Sequence, residues 1–258
     1  MAIGIFDSGV GGLTVFKSIS EHFPNADIYY LGDTARVPYG NKSKETIKRY
    51  SSECADFLIK RFNVDLIVIA CNTASSYAID FLKKKYGVPV IGVVIPGARR
   101  AVSVSKNARI GVIGTRGTVR SCSYYDAIKN ISQNVSVFQK ACPLLVPLVE
   151  EARIDHNITD IVIKEYLDEL NKENIDTLIL GCTHYPLLKK RIKMLYSNLN
   201  IVDSSEVILG YIEKLGINFR ENSIREIFVT DKSESFSSLV FQILGEVEIK
   251  EVFIEQPF

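Results

Sequence analysis

The chain has 258 residues, enough for one large domain or two small ones, and its 47% hydrophobic and 24% charged content is that of a globule with a sizeable core. Thirty-one Lys and Arg stand against thirty Asp and Glu, a formal charge of +1, so no net field draws the molecule to nucleic acid or an anionic membrane. The opening MAIGIFDSGVGG lacks a basic leader and reads as no secretory signal, apolar runs such as residues 66–70 fall far short of the roughly 20 residues a membrane span requires, and a cytoplasmic location is expected.

Short runs rich in Val and Ile alternate with segments of helical spacing, which predicts an α/β fold of buried parallel strands joined by crossover helices. Strands are predicted over 3–6, 28–31, 66–70, 90–93, 110–113, 135–139, 177–180, 200–202 and 226–229, with a further helix over 235–244. The first strand leads into Asp7-Ser8-Gly9-Val10-Gly11-Gly12 and a helix over 13–23. Glycines at that junction permit close backbone approach and suit a small anion at a helix N-terminus. GVGG is not the GxGxxG of a dinucleotide site, and no GK[ST] follows, so a nucleotide is not indicated. The competing reading is a tight turn capped by Asp7 or Ser8. In the next loop, TARVPYG at 34–40, Tyr39 and Gly40 are candidate ligand contacts, against a structural turn with Tyr39 packed inside.

The five cysteines, at 54, 71, 122, 142 and 182, form no CxxC pair, and three histidines add little, so neither a disulfide framework nor a metal site is expected. Two of these cysteines recur in a repeat. VDLIVIACNT at 64–73 returns as IDTLILGCTH at 175–184, with Cys71 and Cys182 111 residues apart; IGIFDSG at 3–9 returns as IGVIGTR at 110–116, 107 residues apart. Two matches in order at nearly constant offset predict duplicated halves, a tandem pair rather than a solenoid. Pro89 and Pro96-Gly97 bracket one expected crossing between the halves, and Asp203-Ser204-Ser205 a second.

Each of these cysteines follows a buried strand and precedes a polar turn from which a helix is expected, and in open parallel sheets ligands bind at the carboxyl ends of the strands. A following helix and free backbone N–H groups lower a thiol pKa and make such a cysteine a possible base. Taken singly, either is more readily a small buried core residue. If two like domains face each other, however, two sulfurs approach one cleft from opposite sides, which suits moving a proton off one face of a carbon and onto the other. Around them, Asn72, Thr73 and Thr183 are candidate donors, and Thr115 and Thr118 are either carboxylate ligands or helix caps. His184 lies two positions after Cys182, where it can orient or protonate it. Glu150, after the apolar run at 144–149, is a further candidate, against the reading that acids in such places are mostly solvated.

DSGVGGLTV at 7–15, PYG at 38–40, ACNTAS at 70–75 and GCTHYPLL at 181–188 together make the chain resemble the glutamate racemases of the cofactor-independent aspartate/glutamate racemase family, over essentially its whole length. The resemblance implies two flavodoxin-like domains, 1–95 with 208–258 and 96–207, and glutamate bound between them. It implies no cofactor, with Cys71 and Cys182 as proton donor and acceptor. Asp7, Ser8, Tyr39, Gly40, Asn72, Thr73, Thr115, Thr118, Thr183 and His184 match binding positions, and Asp7, Glu150 and His184 match residues that assist the cysteines. It also implies a bacterial cytoplasmic enzyme supplying D-glutamate to peptidoglycan, and a homodimer whose arrangement the sequence does not choose. The alternatives are a relative acting on aspartate or another small dicarboxylate, a non-catalytic two-domain protein closing over an anion, and a nicotinamide oxidoreductase.

Overall fold

Uninterrupted apolar strands need cover on both faces, which two parallel sheets between helical layers supply. In the computed structural model, which describes residues 2–216 and 223–254, the strands are β1 (Ala2–Asp7), β2 (Asp27–Gly32), β3 (Leu66–Ile69), β4 (Val90–Gly92), β5 (Arg109–Gly114), β6 (Ser136–Ala141), β7 (Thr177–Gly181), β8 (Asn200–Asp203), β9 (Arg225–Val229) and β10 (Ile249–Glu251). All residues of β1, β3 and β7 are buried, including Asp7 at the end of β1 and Thr177 at the start of β7.

The first sheet has the order β10-β9-β2-β1-β3-β4 and the second β6-β5-β7-β8. Every pairing is parallel; Ile3 lies opposite both Ile28 and Leu66, and Ile110 opposite both Val137 and Thr177. Strands β2-β1-β3-β4 therefore repeat as β6-β5-β7-β8, the flavodoxin-like order, and the sequence repeat is a repeat of fold. In that order the crevice for a ligand lies where the winding reverses, between β1 and β3 in one half and between β5 and β7 in the other. These are the strands that end at Asp7, before Cys71, at Gly114 and before Cys182.

Helices α1 (Leu13–His22), α2 (Lys44–Phe62), α3 (Asn72–Lys85) and α4 (Val94–Val104) precede β5. They are followed by α5 (Arg116–Arg120), α6 (Ser123–Ile131), α7 (Leu145–Glu150), α8 (Asn157–Lys172), α9 (Lys189–Leu195), α10 (Ser204–Val207), α11 (Leu209–Glu213) and α12 (Glu234–Leu244). Leu13, Phe16, Ile19 and Ser20 recur at helical spacing and form the buried face of α1. Ser43 opens α2 by accepting the Thr46 N–H at 3.2 Å, and Asn63 closes it in the left-handed region at φ 49°. The chain passes to the second sheet at α4, which packs on β7 and β8 and carries Pro96 in its first turn. It leaves at α10, where Asp203 accepts the Ser205 N–H at 2.9 Å, and returns as β9 beside β2 and β10 beside β9.

One continuous buried cluster joins Ile3, Ile5 and Leu13 of the first sheet and α1 to Leu178, Leu180 and Tyr185 of the second half. Separate clusters fill the outer faces, around Leu58, Ile67 and Ala78 on one side and Ala98, Ile110 and Ile128 on the other. The nine predicted strands are all present, with the sixth beginning and ending slightly later than predicted. The tenth, β10, was not predicted: it is three residues long, carries Lys250 and Glu251, and is partly exposed, so it shows no apolar run. No helix among the described residues is long and apolar enough to cross a membrane.

Candidate active site

Cys71 stands two residues past the end of β3 and is the N-cap of α3, with an extended backbone. Its thiol donates to the Ser8 hydroxyl at 3.6 Å, and both residues are buried. Burial first, and then the negative charge of Asp7, push this thiol up to about 12, although the Ala74 N–H and the Ser8 hydroxyl favour its ionised form. Cys182 follows β7 at the equivalent point but opens differently. A short 3-10 turn, Tyr185–Leu188, with Pro186 in it, precedes α9, where a regular helix was expected at once. Cys182 Sγ lies 3.8 Å from His184 Nδ1, and His184 Nε2 lies 3.2 Å from Glu150 Oε1. Burial alone would lower the imidazole; the hydrogen bonds and charges of Cys182 and Glu150 outweigh it and hold His184 up at about 10.

Both sulfurs line one tight cavity of about 20 Å³, room for about one water molecule. Ten of the thirteen residues singled out in the sequence line it: Ser8, Tyr39, Gly40, Cys71, Asn72, Thr73, Thr115, Cys182, Thr183 and His184. Asp7, Thr118 and Glu150 stand behind that lining. Asp7 Oδ2 accepts the N–H groups of Gly9 and Gly12, each at 3.0 Å, and its Oδ1 accepts the Thr183 hydroxyl at 3.3 Å. Its carboxyl, raised chiefly by burial, thus shapes the turn after β1 and ties it to the turn after β7. Thr118 makes a trio with Thr73 and Thr115, the hydroxyls lying 2.9, 3.1 and 3.2 Å apart. Thr115 is also the N-cap of α5, accepting the Thr118 N–H at 3.1 Å, so its capping and lining roles coexist.

These contacts run between the halves, and two glycines let them form. A methyl group on Gly11 would stand 2.5 Å from the Thr183 hydroxyl, and one on Gly40 would stand 2.5 Å from Thr115 Cβ. Only a residue without a side chain allows either approach. Tyr39 has a double character: it lines the cavity while its buried hydroxyl donates to Asp33. Asp33 in turn accepts from Arg36, which also pairs with Glu53 and lies over the Tyr50 ring at 4.1 Å. This buried network holds the 34–40 loop and was not foreseen; nor were the lining residues Val37, Pro38 and Val146. The DTAR run at 33–36, an acid and a base three residues apart, is the only part of this network written in consecutive residues.

A roomier cavity of about 400 Å³ lies beside α1 and β9, lined largely by Lys, Arg and Glu side chains and by neither sulfur. Among the described residues, no cluster of three or more His, Cys, Asp or Glu side chains is arranged to hold a metal ion. The site instead offers two sulfurs, an imidazole backed by a carboxylate, and a bank of hydroxyl and amide donors. Such a set can bind a carboxylate and exchange protons with it.

Comparison with known proteins agrees with this chemistry. The model of the Asp/Glu/Hydantoin racemase family matches residues 3–211. The chain is 58% identical over 252 residues to the glutamate racemase of Sulfurihydrogenibium sp., covering 98% of this chain and 97% of that protein. Its fold is similar to the crystal structure of a glutamate racemase isoform from Bacillus anthracis, with a TM-score of 0.93 at 38% identity, covering 98% and 97% of the two chains. It is similar too to the Francisella tularensis glutamate racemase in complex with D-glutamate, with a TM-score of 0.91 at 35% identity and 98% of each chain covered. A family model spanning most of the chain, with near full-length relatives of such identity, makes this chain a member of the Asp/Glu/Hydantoin racemase family and an amino-acid racemase.

Proposed function

We propose that the chain interconverts L- and D-glutamate by a two-base exchange at Cys71 and Cys182, with no cofactor. The observation that carries this reading is the duplication itself: equivalent strand ends of two like-ordered sheets each deliver a cysteine to one cavity. The glutamate racemases among its relatives support glutamate as the substrate.

In this reading one sulfur, as thiolate, takes the α-proton, and the α-carbon flattens into a carbanion. The other sulfur, as thiol, delivers a proton to the opposite face. Charge developing on the α-carboxylate is met by donors already in place, Asn72, Thr73, Thr115 and Thr183, with Thr118 behind them. Ser8 and the Tyr39–Gly40 turn complete the binding surface. His184 relays a proton to or from Cys182, Glu150 holds the imidazole, and Asp7 keeps its turn against Thr183 and biases Cys71 towards its thiol. The tightness of the cavity implies that glutamate enters as the halves part. The same reading divides the chain into domains 1–95 with 208–258 and 96–207. It makes the protein a cytoplasmic homodimer supplying D-glutamate to peptidoglycan.

The test is proton exchange: purified protein, with reduced thiols and no added cofactor, is incubated with L-glutamate in heavy water. Optical rotation decaying to zero as deuterium replaces the α-proton is the expected result. Exchange with L-aspartate but not with L-glutamate would move the substrate to the shorter dicarboxylate, and exchange with neither would retire the catalytic reading.

A further inference from the structure

We propose that Tyr124 is a positioning residue for this reaction: its buried hydroxyl holds the Asn72 amide in one orientation, with the NH2 group turned to the substrate. The inference rests on the reading of the cavity as a racemase site and assigns a task to a residue outside its lining.

Tyr124 belongs to α6 in the second half, while Asn72 is the first residue of α3 in the first half, next to Cys71. The tyrosine hydroxyl donates to Asn72 Oδ1 at 2.6 Å, a short hydrogen bond between fully buried groups. Its ring is confined: a methyl group on Gly97 or on Gly181 would stand 3.2 Å from opposite ring edges, so neither flank leaves room for another side chain. Burial first, then the charges of Asp203 and Cys182, keep the phenol far above its ordinary value, so the hydroxyl remains protonated and remains a donor.

A carboxamide is a planar group with an acceptor at one end and two donors at the other. With Oδ1 engaged by Tyr124, the donor end is what Asn72 has left to offer, and Asn72 lines the cavity. Its Nδ2 is buried and has no hydrogen-bond partner. Buried N–H groups left unpaired are costly and are retained where a ligand completes them. A substrate carboxylate beside Cys71 is such a ligand. Released from Tyr124, the amide is free to turn over and present its oxygen to that carboxylate, an acceptor facing an acceptor. Tyr124 therefore decides the direction of the dipole that the site presents, from a position where it touches no substrate.

The experiment is a double-mutant cycle on racemisation of L-glutamate, using Tyr124→Phe, Asn72→Ala and the pair. Tyr124→Phe is expected to lower kcat/KM by about tenfold in the wild-type background and by less than about twofold when Asn72 is already alanine, because the amide it orients is gone. A purely structural role for Tyr124 gives the same fold-loss in both backgrounds, and that result, or no loss at all, overturns the proposal. Should Tyr124→Phe not fold, Asn72→Asp tests the same idea. It keeps the acceptor for Tyr124 and removes the donor for substrate, so activity must fall at least as far as in Asn72→Ala, and wild-type activity overturns the proposal. Failure of the wild-type protein to racemise glutamate is a separate outcome, which removes the reading of the cavity and this inference with it.

Discussion

The turns that follow β3 and β7 occupy equivalent places in two sheets of the same strand order, yet they surround their cysteines with different chemistry. Cys71 caps a helix of fourteen residues, faces the Ser8 hydroxyl, and is kept a thiol by burial and by Asp7. Cys182 enters a 3-10 turn and has His184 beside it, backed by Glu150. The repeated strand order brings both sulfurs to one cavity, while different neighbours, Ser8 and Asp7 on one side and His184 with Glu150 on the other, surround each. In the proposed reaction, in which substrate and product are mirror images, this site is symmetric in sulfur position and asymmetric in the groups beside each sulfur.

The strongest test of the equivalence of the sulfurs is to remove them one at a time. Cys71→Ser and Cys182→Ser are each expected to slow racemisation by roughly 10²–10⁴, the usual contribution of a positioned acid or base, with thermal melting little changed. Polarimetry measures this, and a variant keeping most of its rate would show that one sulfur suffices. The asymmetry is tested next by His184→Asn, which takes away the proposed proton relay of Cys182 alone and is expected to lower kcat/KM by about tenfold or more. Because the equilibrium between enantiomers is unity, kcat/KM must fall alike for L- and D-glutamate, whereas kcat for the two is expected to diverge. Equal, unchanged kcat values would mean that Cys182 needs no imidazole. Glu150→Gln, at a partly exposed carboxylate, is expected to act in the same sense but only a few-fold.

The smallest effect is on stability at alkaline pH. His184 is raised from an ordinary value near 6.5 to about 10 in the folded protein. The stability it contributes is therefore complete below about pH 6.5 and is lost as pH rises through about 10. Cys71, raised to about 12, acts in the same direction over a higher range. Melting temperature is expected to decline between pH 7 and 10, and less steeply in His184→Asn; parallel slopes for the two proteins would show that His184 is not held as a cation.

Much of this was legible in the chain itself. Runs such as LIVI and TLILG declare buried parallel strands because a strand covered on both faces must be apolar throughout. The repeat placed Cys71 and Cys182 at matching strand ends because it copies a whole folding unit. These are local properties, written in consecutive residues. What folding alone decided are contacts between segments far apart in sequence. Asp7 turns its carboxylate towards Gly9, Gly12 and Thr183 rather than into the cavity. Tyr39 gives its hydroxyl to Asp33, Val146 arrives from the far half, and Tyr124 reaches Asn72 across 52 residues. Composition and period say that a residue is buried or at a turn, but the partner of a buried polar group is settled by packing, because each such group takes whichever donor or acceptor the assembled sheets and helices bring within about 3 Å.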